Sequence, residues 1–466
     1  DRYIKTPTYR GDFETYHYTS MPHFEPWLDD LKYRLGSRCQ KIDFIVQSPI
    51  KSACECYDKY TEVLTSNGWK FFDQLDTSDA ICTLNPSTLG IEYQYPTDYI
   101  KKISDKICKL SNQKLDFAVT CDHSMSVIKG FDRRQGIDNV RLIKLSDLPD
   151  NDLNFIPNGN GHCGVDRQYF DLPRVDRCMV EYDRLPMRPW LRFLGWFLSD
   201  GCTVDSNHVV YISQVKPLGV KEIESTLTEL GFKFDRNGHS FRVSSKQLSS
   251  YLKDLGVKEN KRVPAFVKTL SIPLIQEFLS GYFGGNGTLA TNGATRIYCT
   301  GLCKDLANDI QELIILTGKS STISVKKPQG WHIYAGRNIN STKPVYNVSE
   351  QSTRYRTFSK KSVTIEDYND FVYCVTVPNH IIQVRRNGKA MWCGNCGYDG
   401  FCVDGKFTTN CLCGYEVKDQ AYVCKVFDAT PKIIDDVNIA MSPYLKDCRG
   451  HYSTEIRIND KGKGYF

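Results

Sequence analysis

Cys56-Tyr-Asp-Lys-Tyr-Thr-Glu-Val-Leu-Thr65, closed by Asn67-Gly68-Trp69, and Trp392-Cys-Gly-Asn-Cys396 are the two stretches that decide how this chain is read. A cysteine can attack the carbonyl that precedes it and turn an amide into a thioester. A second cysteine can then take over the acyl group. An asparagine can cyclise through its side-chain amide and cut the peptide bond beside it. Cys56 opens one stretch and Asn395-Cys396 close the other. Together the three reactions would excise residues 56–395 and join Glu55 to Cys396.

Between these stretches the texture changes twice. Ile81-Cys-Thr-Leu84 and Leu115-Asp-Phe-Ala-Val-Thr120 alternate like strands, and Asn67-Gly68 signals a hairpin turn. Phe371-Val-Tyr-Cys-Val-Thr-Val377, a turn at Pro378-Asn379, the run Ile381 to Arg386 and a second turn at Asn387-Gly388 restore that texture near the far end. From Pro186 the period shifts towards helix. Trp190 to Leu198 is almost wholly apolar and ends at Ser-Asp-Gly201, and Pro273 to Phe283 ends at Gly-Gly-Asn-Gly287. Strand-like runs follow, such as His208-Val-Val-Tyr-Ile-Ser213 and His239-Ser-Phe-Arg-Val-Ser244, so an internal duplication is expected.

With 466 residues, the prior is about three domains at roughly 150 residues each. Hydrophobic content of 41% and aromatic content of 12% exclude a disordered chain. No apolar run approaches the ~18 residues of a membrane span. The chain opens at Asp1 and not at Met, and is read as a processed or excerpted segment. Its 19 cysteines are odd in number and scattered. That argues for reduced thiols, metal ligands or nucleophiles in a reducing cytoplasm, not for a disulfide framework. The net charge of +6 hides an asymmetry: Leu185 to Pro344 carries 20 Lys+Arg against 12 Asp+Glu, a net of +8, which leaves −2 elsewhere. A basic block inside a near-neutral chain points to a polyanion-binding domain inserted into something else.

The boundary stretches resemble those of an intein. Cys56 to Trp69 looks like the first block of that family, and Ala118-Val-Thr120-Cys-Asp-His123 like the second, with its Thr-x-x-His signature. Val372-Tyr-Cys-Val-Thr-Val-Pro-Asn-His380 and Trp392 to Cys396 look like the last two. The resemblance implies an all-β hedgehog/intein fold, horseshoe-like, and a role for each matching residue. Cys56 would attack the Glu55 carbonyl, His123 protonate the departing nitrogen, and Thr120 polarise the scissile peptide. Cys396 would take the acyl group, and Asn395 would cyclise to release the segment. No cofactor is implied. The penultimate residue, often His in the family, is Gly394, so help for Asn395 is expected from His380. Cys374 stands where many members carry Asp, and is given a role by analogy.

Phe193-Leu-Gly-Trp-Phe-Leu-Ser-Asp-Gly201 and Leu279-Ser-Gly-Tyr-Phe-Gly-Gly-Asn-Gly287 resemble the paired signature helices of LAGLIDADG homing endonucleases. The resemblance implies helices packed through Gly195 and Gly281 in an α/β domain over residues 186–345. It further implies Mg at Asp200 and at the second acidic position, a lysine near the cut (Lys261), and double-stranded DNA as partner. Asn286 replaces the second acid, so a weakened, nicking or inactive nuclease is expected.

The expected organisation is therefore a host segment (1–55), a splicing domain in two parts (56–185 and 346–395) around the endonuclease, and a second host segment (396–466), the host parts being α+β. No membrane partner is expected, and splicing would act in cis. The spliced flanks faintly resemble an ATP-grasp ligase fragment, in which Glu455 would bind Mg with ATP. Alternatively Cys54, Cys396, Cys402, Cys411 and Cys413 would form a zinc site. The competing class for the whole chain is a DNA-binding or nuclease module in a host that never splices.

Overall fold

The computed structural model describes residues 55–134, 140–150, 153–176, 178, 182–256, 258–328, 330–334, 337–351 and 353–395. Of the flanks it describes the strands Ile42–Gln47, Cys402–Val403, Lys406–Phe407, Ala421–Val426, Arg457–Ile458 and Gly464–Tyr465. The chain divides into two units, Glu55–Asn395 and a second built from residues 1–54 together with 396–466. In the second unit Ile42–Gln47 pairs antiparallel with Ala421–Val426, so strands from both ends of the chain share one sheet.

Among the strands of the larger unit, β1 (Tyr57–Asp58), β2 (Asp98–Ser111), β3 (Asp116–Val119) and β4 (Ser124–Ile128) position the site. β5 (Thr364–Thr376) enters from the far end of the sequence and closes a barrel in the order β1-β5-β2-β3. Every residue of β3 and β4 is buried. These strands are core on both faces, so Ser124 and Ser126 are buried along with Met125 and Val127. The hairpin of β6 (Ile381–Arg386) and β7 (Lys389–Gly394) turns through Asn387 and Gly388, at φ 49° and 77°. Both values are positive, as a two-residue turn matched to the strand twist demands.

The inserted module is built twice over. α1 (Met187–Asp200) leads into strands Gly201–Val204 and Val209–Ser213, a helix Pro217–Glu229 and strands Phe234–Asn237 and Ser240–Ser244. α2 (Ile272–Asn286) leads into Gly287–Leu289 and Arg296–Gly301, then α3 (Lys304–Leu316) and the strands Ser320–Lys326 and Val345–Gln351. Trp190, Phe193, Trp196 and Phe197 of α1 are buried, each worth roughly 1.5–3 kcal/mol in apolar area removed from water. α1 and α2 cross at their glycines. A Cβ on Gly195 would lie 2.3 Å from the Phe278 carbonyl oxygen, and one on Gly281 would lie 2.2 Å from that of Arg192.

The insert is not tethered through loops alone. Its second-half sheet runs into the sheet of β6 and β7 where Thr322 of Ser320–Lys326 pairs with Lys389 of β7. The strand Val345–Gln351 lies between Arg296–Gly301 and Ser320–Lys326, so the chain past residue 345 still builds the insert's sheet. Arg385 of β6 locks the junction. Its guanidinium is buried, binds the Glu62 carboxylate at 2.6 and 2.8 Å, donates to Asn308 and Gln311 of α3, and lies over the Trp69 ring.

The helix crossing can be tested directly. Gly195→Ala should cost about 1–3 kcal/mol, the usual penalty of overpacking a close contact, read as a shift of the denaturant midpoint.

Candidate active site at the two ends of residues 56–395

β1 is held on both edges, Tyr57 pairing with Val119 of β3 and with Tyr373 of β5. This places Cys56, wholly buried, against the residue that follows β3. The Cys56 N–H donates to Thr120 Oγ1 at 3.1 Å, and the Thr120 N–H donates to the Cys56 carbonyl at 2.9 Å. A tight turn, His123 N–H to Thr120 O at 3.0 Å, swings the imidazole back beneath β1. There the Tyr57 ring meets it edge-on, with centroids 4.6 Å apart. Ser124 Oγ donates to Glu55 Oε1 at 2.7 Å and fixes the residue before the nucleophile.

The other terminus arrives on β7. The Asn395 N–H donates to the His380 carbonyl at 3.2 Å, and Asn395 Nδ2 donates to the Val375 carbonyl at 2.7 Å. His380 sits buried at the turn before β6, in the left-handed region at φ 52°. The Tyr57 hydroxyl donates to the Gly394 carbonyl, joining residues 337 positions apart. Cys374 of β5 is buried beside Tyr57 and Cys393. The structure therefore brings together Glu55, Cys56, Thr120, His123, Cys374, His380, Gly394 and Asn395. Cys396 lies outside the described residues.

Gly394, which looks like a loss when compared with the family's usual histidine, has a steric cause. A Cβ there would be 2.3 Å from the Ser124 carbonyl oxygen and 3.2 Å from Leu142 Cδ2. No side chain fits without moving the β4 backbone.

Two residues of the site escaped sequence reasoning. Cys393 is fully buried, with its Sγ 3.2 Å from His123 Nε2. Burial pushes its thiol up to about 12, so it stays protonated. Tyr57 is the second, its aromatic ring stacked on Phe72. The available signal was adjacency: each is one residue from a junction residue. Burial drives His123 down to about 3, while backbone groups of Glu55 and Gly394 pull the other way. Its imidazole is therefore neutral near pH 7 and a strong acid once protonated.

In the insert, the ends of α1 and α2 meet. Asn286 Nδ2 donates to the Ser199 carbonyl at 3.1 Å. Burial raises the Asp200 carboxyl, with Lys261 and Lys216 opposing. The Lys261 ammonium donates to the carbonyls of Phe197, Leu198 and Gly201, capping the C-terminus of α1, and burial lowers its pKa. No group of three or more His, Cys, Asp or Glu side chains placed for a metal occurs among the described residues. The donors present, one carboxylate and one amide oxygen, fit a single hard cation that keeps several waters, and do not fit a symmetric pair. Glu455 and Cys54, Cys411 and Cys413 lie outside the described residues, and of Cys402 only the backbone strand is described.

Residues 273–352 match the model of the LAGLIDADG-like domain. A DNA-directed RNA polymerase subunit beta C-terminal section from Stigeoclonium helveticum is 24% identical over 388 residues, covering 72% of this chain and 36% of that protein. An ATP-dependent Clp protease proteolytic subunit from Chlamydomonas moewusii is 26% identical over 360 residues, covering 72% and 35%. A DNA polymerase II large subunit from Thermococcus kodakarensis is 29% identical over 142 residues, covering 28% and 8%. The chain thus spans about a third of the length of the first two relatives. Among solved structures, a class 3 split intein aligns at TM-score 0.26 and 10% identity, over 74% of this chain and 99% of that one. The endonuclease I-DmoI in complex with DNA and Mn aligns at 0.25 and 15%, over 35% and 90%. Both likenesses are too distant to argue from.

Residues 273–352 are thus a LAGLIDADG-like domain within a segment whose two ends, Cys56 and Asn395, are both wholly buried.

Two outcomes follow from this geometry. His123 has a folded pKa below its unfolded value, so it stabilises the fold at neutral pH, and that contribution fades as pH falls from about 6.5 towards 3. Between pH 7 and pH 5 the loss should be about 2 kcal/mol, and His123→Gln should flatten the dependence in denaturant titrations. Gly394→His, which restores the residue usual in the family, should slow release of the C-terminal flank, read on gels.

Proposed function

We propose that residues 56–395 excise themselves and ligate Glu55 to Cys396, and that the inserted module binds and cuts double-stranded DNA. The observation that carries the splicing reading is the meeting of Cys56 and Asn395, both wholly buried, around one Thr120–His123 turn. The Cys56 thiol attacks the Glu55 carbonyl carbon. The C–N bond breaks, and the nitrogen leaves as an amine carrying the thiol's proton, which the neutral His123 imidazole takes up and passes on. Thr120 Oγ1, which accepts from the Cys56 N–H, holds that nitrogen in line. The Cys396 thiol takes the acyl group and frees the Cys56 thiol. Asn395 Nδ2 then attacks its own main-chain carbonyl, and the succinimide forms as the bond to Cys396 breaks. The Cys396 amine finally takes the acyl group from its own sulfur. Peptide bonds are roughly conserved throughout, so no cofactor is needed. Because Cys56 reacts as a reduced thiol, a reducing cytoplasm is the compartment that suits it. Among the described residues no disulfide occurs, and no helix is long and apolar enough to cross a membrane.

The relatives support this reading from another side. An RNA polymerase subunit, a protease subunit and a DNA polymerase subunit do not share a reaction. A segment that inserts into unrelated hosts is what they can share.

For the nuclease, residues 186–345 carry the basic excess that would meet phosphates. Asp200, with Asn286, would hold Mg, which when bound would activate water and stabilise the leaving oxygen. Lys261 is tied to the end of α1, beside Asp200, and opposes the upward pull of burial on that carboxyl. With a single carboxylate, slow cutting or nicking is the expected outcome.

Expression of the whole chain under reducing conditions should give a free 340-residue segment and a ligated 126-residue product. Cys56→Ala combined with Asn395→Ala should leave only precursor, and an unmodified chain that also stays intact would refute splicing in favour of a DNA-binding module in a non-splicing host. His123→Ala should slow thioester formation by about 10²–10⁴-fold, measured by thiolysis. With Mg and DNA spanning the uninterrupted host gene, nicked circles should accumulate ahead of linear product, and Asn286→Asp should increase the linear fraction.

A further inference from the structure

We propose that Tyr57 is a positioning residue for the C-terminal step, holding the Gly394–Asn395 peptide in the orientation that cyclisation requires. The inference rests on the splicing reading and names a residue to which that reading gives no part.

The peptide unit between Gly394 and Asn395 is gripped at both ends. Its carbonyl accepts from the Tyr57 hydroxyl and its N–H donates to the His380 carbonyl. The Asn395 side chain is fixed separately through Val375. Cyclisation needs Nδ2 to approach its own main-chain carbonyl carbon, and anchoring this peptide fixes the backbone from which both that carbon and the side chain extend. In the reaction Nδ2 forms a bond to that carbon and gives up one proton. The bond to the Cys396 nitrogen breaks, and that nitrogen leaves as an amine having gained one proton. Small errors in approach cost large factors in rate.

A side chain at position 394 cannot do this work, because its Cβ would meet the Ser124 carbonyl. The support therefore has to come from across the barrel. Tyr57 reaches from the opposite terminus, and its freedom is removed on both faces: its ring stacks on Phe72 at 5.2 Å and 11°, and meets His123 edge-on. Burial first, and then Cys393 and Cys374, raise the phenol well above its ordinary pKa, so it remains a donor at any working pH.

Tyr57→Phe in the full chain removes the hydroxyl and keeps the ring. Two backgrounds separate the steps. With Asn395→Ala, thiolysis by dithiothreitol reports thioester formation at Cys56. With Cys56→Ala, release of the C-terminal flank reports cyclisation alone. Release should fall roughly tenfold, the size of one buried hydrogen bond lost, while thiolysis stays within about twofold and the denaturant midpoint moves little. Phe72→Leu, which loosens the same ring but leaves the hydroxyl, should not reproduce this split. Equal loss in both steps, no loss in release, or the same split from Phe72→Leu would each overturn the proposal. A parent chain that neither thiolyses nor releases its flank would instead overturn the splicing reading, leaving the two failures distinct.

Discussion

The pairing of β1 on both of its edges is the constraint on which the rest depends. Two residues of strand, Tyr57 and Asp58, are held between β3 and β5, which come from opposite ends of the segment. Tertiary closure of the barrel and assembly of the site are thus one event. Cys56, Thr120 and His123 come from one end of the segment and Asn395 follows β7 at the other, yet all four are buried. A site excluded from water also explains its titration. The same burial that depresses His123 raises Cys393 and the Tyr57 phenol, so the interior carries neutral donors ready to respond to charge that appears only during reaction.

Much of this was legible in the sequence, and the reason is chemical. Cys56, Thr120, His123 and Asn395 stand out because the steps proposed for them, thiol attack, polarisation, proton delivery and cyclisation, admit few substitutes. The α1 and α2 helices were legible because close crossing demands glycine at a fixed place, and Asn387-Gly388 because few residues tolerate two positive φ values. What stayed hidden depends on distant placement. Tyr57 reads as one aromatic among 27 tyrosines until its hydroxyl is seen on Gly394. Cys393 reads as a strand cysteine until its sulfur is seen against His123. Gly394 read as a missing histidine, whereas its lack of a Cβ is what lets β7 approach β4.

The junction between the two modules was equally opaque. The domain that the endonuclease resemblance implies ends at residue 345. Yet the strand that begins at Val345 pairs within the insert, and the next, Tyr355–Ser359, pairs with Leu153–Pro157 of the splicing part. Sheet order is a property of the folded chain, not of local composition. Arg385 makes the union costly to undo: removing one partner from a buried ion pair costs about 3–5 kcal/mol, and this side chain serves Glu62 and α3 together.

The sheet formed by the flanks carries a different consequence. Ile42–Gln47 precedes the first cut and Ala421–Val426 follows the second, yet they are hydrogen-bonded along their whole length. Under the splicing proposed above, the product's fold is in part already made while the intervening segment is still attached. Joining the flanks then seals a nick in an existing structure instead of bringing two strangers together, and the effective concentration of one for the other is set by the sheet. A cut that misfires at either junction leaves two chains that remain neighbours. The host's risk from an imperfect excision is a broken backbone, not a lost half.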